Sequence, residues 1–192
     1  MLLARRPSDE LIHRVIYGQR DAAPDYGHVG GTRYSEIPAG FTVNRSRAVI
    51  GAGEEAFLEA RILLERLRAL DLAWATVYPR GTEVRPGVDV GVLAKVAGVW
   101  ALNVGRIVYV LEEQGEAPTY GFAFGTLPSS SLRGEERFTV TFDRRTGSVT
   151  YEIFSFARPR GLIPLMATPL LQATRRRFCR DSTEAMKNLV EV

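Results

Sequence analysis

The sequence predicts an α+β fold in which a curved antiparallel sheet wraps around a long carboxy-terminal helix. Three observations carry this reading. Apolar residues alternate with period two through most of Val88 to Phe156, the connections between the alternating segments are short, and the apolar pattern after Thr168 has helical spacing. Successive strands with short connections pair antiparallel, because a parallel pair needs a crossover of about a dozen residues. A helix from Pro169 to Val190 spans roughly 33 Å at 1.5 Å per residue, and its apolar stripe needs a sheet to lie across.

The elements follow in order. Ser8 caps a short helix running to Ile16, with Leu11, Val15 and Ile16 as its stripe. It lies in residues 1–40, which are expected to form an appendage packed on a single α+β domain of residues 41–192. Thr42 to Ile50 alternates as a strand. From Glu54 to Leu70 the spacing turns helical, with Phe57, Ala60, Leu63, Leu64, Leu67 and Leu70 at intervals of three and four, and Glu54 and Glu55 suit the positive end of the helix dipole.

Five strands follow. Val90, Val92, Ala94 and Val96 share one parity. Val104, Val108 and Val110 alternate with Ile107, Tyr109 and Leu111, and Tyr120, Phe122 and Phe124 with Gly121, Ala123 and Gly125. Phe138, Val140 and Phe142 share a face, and the turn Asp143 to Gly147 leads into Val149 to Phe156 as a hairpin. Pro159, Pro164 and Pro169 punctuate the next segment. Thr168 then serves as the cap and Pro169 as the first residue of the last helix, whose inward face reads as Leu171, Phe178, Ser182, Ala185, Met186 and Leu189.

Composition narrows the function. With 192 residues, 45% hydrophobic and 24% charged, the chain supports one sizeable core. The single cysteine, Cys179, excludes a disulfide framework and reads as a buried structural thiol. The longest charge-free stretch, Ala117 to Leu132, carries two prolines and three serines and is too short and polar to span a bilayer. Charges after four residues at the amino terminus do not suit a signal peptide, so a cytoplasmic protein is expected.

Several chemistries are not expected. His13 and His28 have no second nitrogen or sulfur ligand near them in sequence, so neither a metal nor a cofactor is expected. Gly51-Ala52-Gly53-Glu54-Glu55-Ala56 has the spacing of a dinucleotide-binding turn. Its two carboxylates would face the pyrophosphate, and it reads as a plain strand-to-helix turn. No Gly-x-Ser-x-Gly elbow is present, and Ser129 to Ser131 reads as a loop. The formal charge of +3 is uneven, with +4 from Ala157 onward. Arg175, Arg176 and Arg177 read as a solvated helix face, and nucleic-acid binding is not expected.

Strand parity identifies one candidate site. Glu136 shares its side with Phe138, Val140 and Phe142 and so points inward at the end of its strand. A buried carboxylate needs a charged or hydrogen-bonding partner, and Thr126 and Arg158, both at strand ends, are the candidates. With Tyr120, Phe122, Phe124 and Phe138 they make the candidate ligand-binding set. The alternatives are an enzyme that uses Glu136 as general acid or base, a nucleic-acid or partner module that uses the terminal arginines, and a structural Glu136–Arg158 pair closing the sheet. Ligand identity and oligomeric state stay open.

Phe122-Ala123-Phe124-Gly125-Thr126-Leu127-Pro128, followed by Gly134-Glu135-Glu136-Arg137-Phe138, resembles the signature of uncharacterised protein family 0548, a domain of unknown function in bacteria and plants. Tyr26-x-x-Val29-Gly30-x-Thr32, Gly51-x-Gly53, Arg158-Pro159 and Pro169-x-x-Gln172 extend the resemblance over about residues 25 to 185. Ser130 stands where many members have histidine, and Phe124 where tyrosine is usual. The element order is also similar to START-like and Bet v 1-like helix-grip proteins. That resemblance implies a cavity for an apolar small molecule.

Overall fold

Ser8 caps the first helix as its sequence requires, with its hydroxyl accepting from the Leu11 amide at 3.3 Å. In this computed structural model, residues 1–160 and 168–190 are described. Their elements are β1 (Leu2–Leu3), α1 (Asp9–Tyr17), α2 (Gly31–Tyr34), β2 (Thr42–Ala52), α3 (Gly53–Glu65), β3 (Ala75–Tyr78), β4 (Asp89–Val96), β5 (Val99–Glu113), β6 (Thr119–Thr126), β7 (Leu132–Asp143), β8 (Ser148–Pro159) and α4 (Thr168–Val190). Pro164 and the side chains of Thr168, Pro169 and Leu171 lie outside the described residues, and with them the expected cap of α4.

Every strand pair is antiparallel, and the sheet runs β2-β8-β7-β6-β5-β4-β3, with β1 added to β5. Its inner face meets α3 and α4. Phe57 of α3 stacks on Phe142 of β7 at 6.2 Å between ring centroids, and Phe178 of α4 meets Phe138 edge-on, also at 6.2 Å. Phe122, Phe138 and Tyr151 are fully withdrawn from water. Each such side chain stabilises the fold by about 1.5–3 kcal/mol.

The helices differ from their sequence pattern in two places. The helical spacing after Glu54 continues to Leu70, but α3 ends at Glu65, and Leu67, Ala69 and Leu70 reach the core through a 3-10 turn at Arg68–Leu70. On α4 the inward stripe is Cys179, Ser182, Met186 and Val190, while Leu189 is 40% exposed. Phe178, Ser182 and Met186 of the expected face do meet the core, and Arg175, one turn before Cys179, also turns toward the sheet.

The outer face is not left to solvent. Ile12 and Ile16 of α1 pack on Leu93, Leu102, Val104 and Leu127 in a second apolar cluster. Leu11 and Val15 are only half-buried, so the stripe of α1 runs through Ile12 and Ile16. Arg106 of β5 pairs with Asp89 at 2.6 Å and donates to the carbonyls of Arg20 and Ala22, fixing the chain after α1 against the sheet. Among the described residues, no helix is long and apolar enough to cross a membrane.

Candidate functional site

Cross-strand register assembles the site. One inward row reads Asn44 (β2), Ser155 (β8), Glu136 (β7), Phe124 (β6) and Ile107 (β5). The next row is Ser46, Ile153, Phe138, Phe122 and Val110, and is almost wholly apolar. The first row thus groups Asn44, Ser155 and Glu136 beneath the first half of α4, while Tyr151 further along the face bonds Ser182 at 2.8 Å.

Arg175 of α4 reaches down to this row and donates from Nη2 to the Ser155 hydroxyl at 2.7 Å. Ser155 is also the cross-strand neighbour of Glu136 and favours its ionised form, so guanidinium, hydroxyl and carboxyl are grouped in one place. Glu136 is only half-buried. Enough protein surrounds it that burial raises its pKa above the ordinary carboxylate value, and the opposing influences of Arg175 and Ser155 do not reverse this. At the end of the row Asn44 donates to the Cys179 sulfur at 3.0 Å. Burial, followed by the charge of Glu136, pushes that thiol up to about 11, so it is an unreactive structural cysteine at neutral pH. An open groove of about 460 Å³ between β2 and α4 is lined in part by Asn44 and Cys179.

The residues singled out in the sequence separate into three groups. Phe124 and Glu136 are register neighbours in the polar row. Tyr120, Phe122 and Phe138 lie on the same face but are packed: Phe122 and Phe138 stack at 5.2 Å, and the guanidinium of Arg61 lies 4.8 Å from the Tyr120 ring. Burial pushes the Tyr120 phenol up to about 12. Thr126 and Arg158 do not meet Glu136. The Thr126 hydroxyl accepts from the Gly134 amide at 2.9 Å and donates to its carbonyl at 3.2 Å, locking the β6–β7 end. Arg158 has the opposite parity to Ser155 and lies over the Phe41 ring at 4.6 Å on the outer face. The expected Glu136–Arg158 pair is not formed; the nearby cation is Arg175, which bonds Ser155 and so leaves the expected solvated arginine face.

A second buried carboxylate was not anticipated. Glu135, 2% exposed, points outward and is enclosed by the chain before β2. It accepts from the Tyr26 hydroxyl and Gly30 amide, each at 2.7 Å, from the Thr32 amide at 2.9 Å, and from the Thr32 hydroxyl. Arg137 donates to the Thr32 carbonyl and to Glu152, each at 2.8 Å. Gly134 sets this up with a φ of +152°, and a Cβ there would lie 2.0 Å from the Phe156 carbonyl oxygen. The available sequence signal was the polar motif Tyr26, Gly30 and Thr32 in an otherwise irregular stretch.

Comparison with known proteins agrees with this geometry. A family model described as a domain of unknown function (DUF1990) matches residues 25–185. A UPF0548 protein of Dictyostelium discoideum is 30% identical over 207 residues, covering 99% of this chain and 96% of its own. A UPF0548 protein of Deinococcus radiodurans is 29% identical over 192 residues, 94% of each chain. Among solved structures, Ara h 8.0201 superposes with a TM-score of 0.50 at 14% identity, over 79% of this chain and 98% of that one. At that identity the likeness is one of fold, and the architecture is the helix-grip, START-like and Bet v 1-like arrangement. With the family match extending from residue 25 to 185, the chain belongs to the UPF0548 family, the DUF1990 domain of unknown function.

Proposed function

We propose that this protein binds a small, largely apolar molecule in the grip between the inner face of the sheet and α4. The observation that carries the reading is the polar group Arg175, Ser155 and Glu136, which lies beside the apolar cluster of the inner face. A few polar side chains beside an apolar wall are what orients a ligand in a small-molecule site. Phe124 supplies an apolar wall beside Glu136, and Tyr120, Phe122 and Phe138 form the floor. Thr126 and Arg158 serve the scaffold, one by closing β6 onto β7 and the other by covering Phe41. The groove beside Asn44 and Cys179 supports access from the β2 edge. The free, buried Cys179 supports a cytoplasmic setting.

Titration with a neutral naphthalene dye tests this. The reading expects saturable fluorescence that weakens in Arg175→Gln and in Glu136→Gln. Dye binding that neither variant alters counts against it.

A catalytic reading uses the same carboxyl. The raised pKa of Glu136 favours it, because a general acid or base works best near the ambient pH. Turnover of a bound hydrophobic substrate would then follow the ionisation of Glu136 and vanish in Glu136→Gln.

A further inference from the structure

On the outer face, opposite the grip, the sheet carries a depression of about 290 Å³. We propose that it binds a small phosphorylated polyol, such as a sugar phosphate. The site shares no residue with the grip, so it stands or falls independently of the function proposed above.

Its position follows from register. Arg47, Glu152, Thr139, Gly121 and Leu111 form one outward row across five strands, and Val49, Thr150, Thr141, Thr119 and Glu113 form the next. Thr139 stands at the centre of the first row, between Glu152 and Gly121, and its methyl group covers the backbone of Gly121. The depression is lined by Thr119, Thr139, Thr141 and Thr150 together with arginine and glutamate side chains.

Three guanidiniums line it. Arg137 is held in place by its bonds to the Thr32 carbonyl and Glu152, but its Nε is buried and has no hydrogen-bond partner. The bonds to Thr32 and Glu152 hold its guanidinium as a fixed positive charge at the wall of the depression. Arg33 and Arg47 are exposed and form no ion pair among the described residues. Planar guanidiniums match phosphate oxygens in pairs, so this set favours phosphate.

The remaining groups suit hydroxyls. Thr139 and Thr150 line the depression and make no side-chain hydrogen bond among the described residues. Glu152 is engaged by Arg137 at 2.8 Å and by Arg45 at 4.0 Å, whereas Glu113 at the rim makes no ion pair among the described residues and can accept from a ligand hydroxyl. Three cations against two carboxylates leave one net positive charge, enough to attract an anion. The volume lies at the small end of the range for metabolite sites.

Calorimetric titration of the intact protein at low salt, with ribose phosphate, ribose and inorganic phosphate as probes, tests the proposal. Ribose phosphate should bind saturably, inorganic phosphate about tenfold more weakly, and ribose not at all. Arg47→Gln changes an exposed, unpaired side chain, so it should melt like the wild type and lose about tenfold in affinity for ribose phosphate. No saturable heat with ribose phosphate, or undiminished affinity in both Arg47→Gln and Arg33→Gln, overturns the site. Equal affinity for inorganic phosphate and ribose phosphate overturns the polyol assignment.

Discussion

Glu135 and Tyr26, separated by 109 positions in the chain, share a buried hydrogen bond of 2.7 Å on the outer face of the sheet. The next residue, Glu136, faces the grip, so adjacent carboxyls serve opposite sides of one strand. The outer carboxyl fastens the chain before β2 to the sheet, and the inner one belongs to the candidate site.

Glu135→Gln removes an acceptor oxygen from a carboxylate that receives four hydrogen bonds, and turns an amide donor toward the amides of Gly30 or Thr32. The expected loss is about 3 kcal/mol, from weakened charge-assisted bonds and an unsatisfied buried donor. For a chain of this length that corresponds to a melting temperature lower by roughly 6 to 12 °C. Differential scanning calorimetry checks it, and wild-type melting would rule out the fastening role.

Gly134→Ala is expected to be at least as damaging as many core truncations. The added Cβ would meet the Phe156 carbonyl oxygen at a distance that nonbonded atoms do not adopt, so β7 or β8 must shift. A loss above about 2 kcal/mol in urea unfolding is predicted.

The pH dependence of Glu136 has a defined sign. Its folded pKa lies above the unfolded value, so between the two the folded state holds a proton that the unfolded chain has released. Wild-type stability therefore falls as pH rises through that window and levels off above the folded pKa. Glu136→Gln lacks this loss and should gain on the wild type between acid and neutral pH. A variant that instead loses ground toward neutral pH would mean that the ionised carboxylate is held by Arg175.

Alkaline pH acts through the phenols. Burial, followed by the charge of Glu135, raises Tyr26, and burial also raises Tyr109, Tyr120 and Tyr151. An unfolded chain releases these protons near pH 10. Stability should therefore fall as pH climbs above about 10, with tyrosinate absorbance appearing together with unfolding. Full phenol titration in a protein that stays folded would contradict these environments.

Arg176 and Arg177 are exposed, in contrast to Arg175. Arg176→Gln should change stability by less than about 0.5 kcal/mol. Arg177→Gln loses its contact with the Trp74 ring at 4.5 Å and its pair with Asp181, and should cost up to about 1 kcal/mol. Binding of the wild type to RNA at physiological salt would assign these arginines another role.

The long strands, their antiparallel succession and both long helices were legible because alternation and helical spacing extend over many residues, whereas the pairing of β2 with β8 was not. Leu2–Leu3 and Ala75–Tyr78 were not, since two and four residues are too few to show a period. Glu136 was legible from parity alone, but its partner was not. Nothing local to Arg158 reveals that it turns outward over Phe41, and nothing local to Arg175 reveals that it turns toward the sheet and bonds Ser155. Glu135 was missed because parity assigns it to the outer face and nothing local shows that Tyr26, Gly30 and Thr32 enclose it there.

Native mass spectrometry of the purified protein tests the central claim most directly. The proposed grip predicts a bound small molecule that is released on denaturation, with occupancy reduced in Arg175→Gln while the fold persists. The protein mass alone, both as isolated and after incubation with an extract of apolar metabolites, would contradict it.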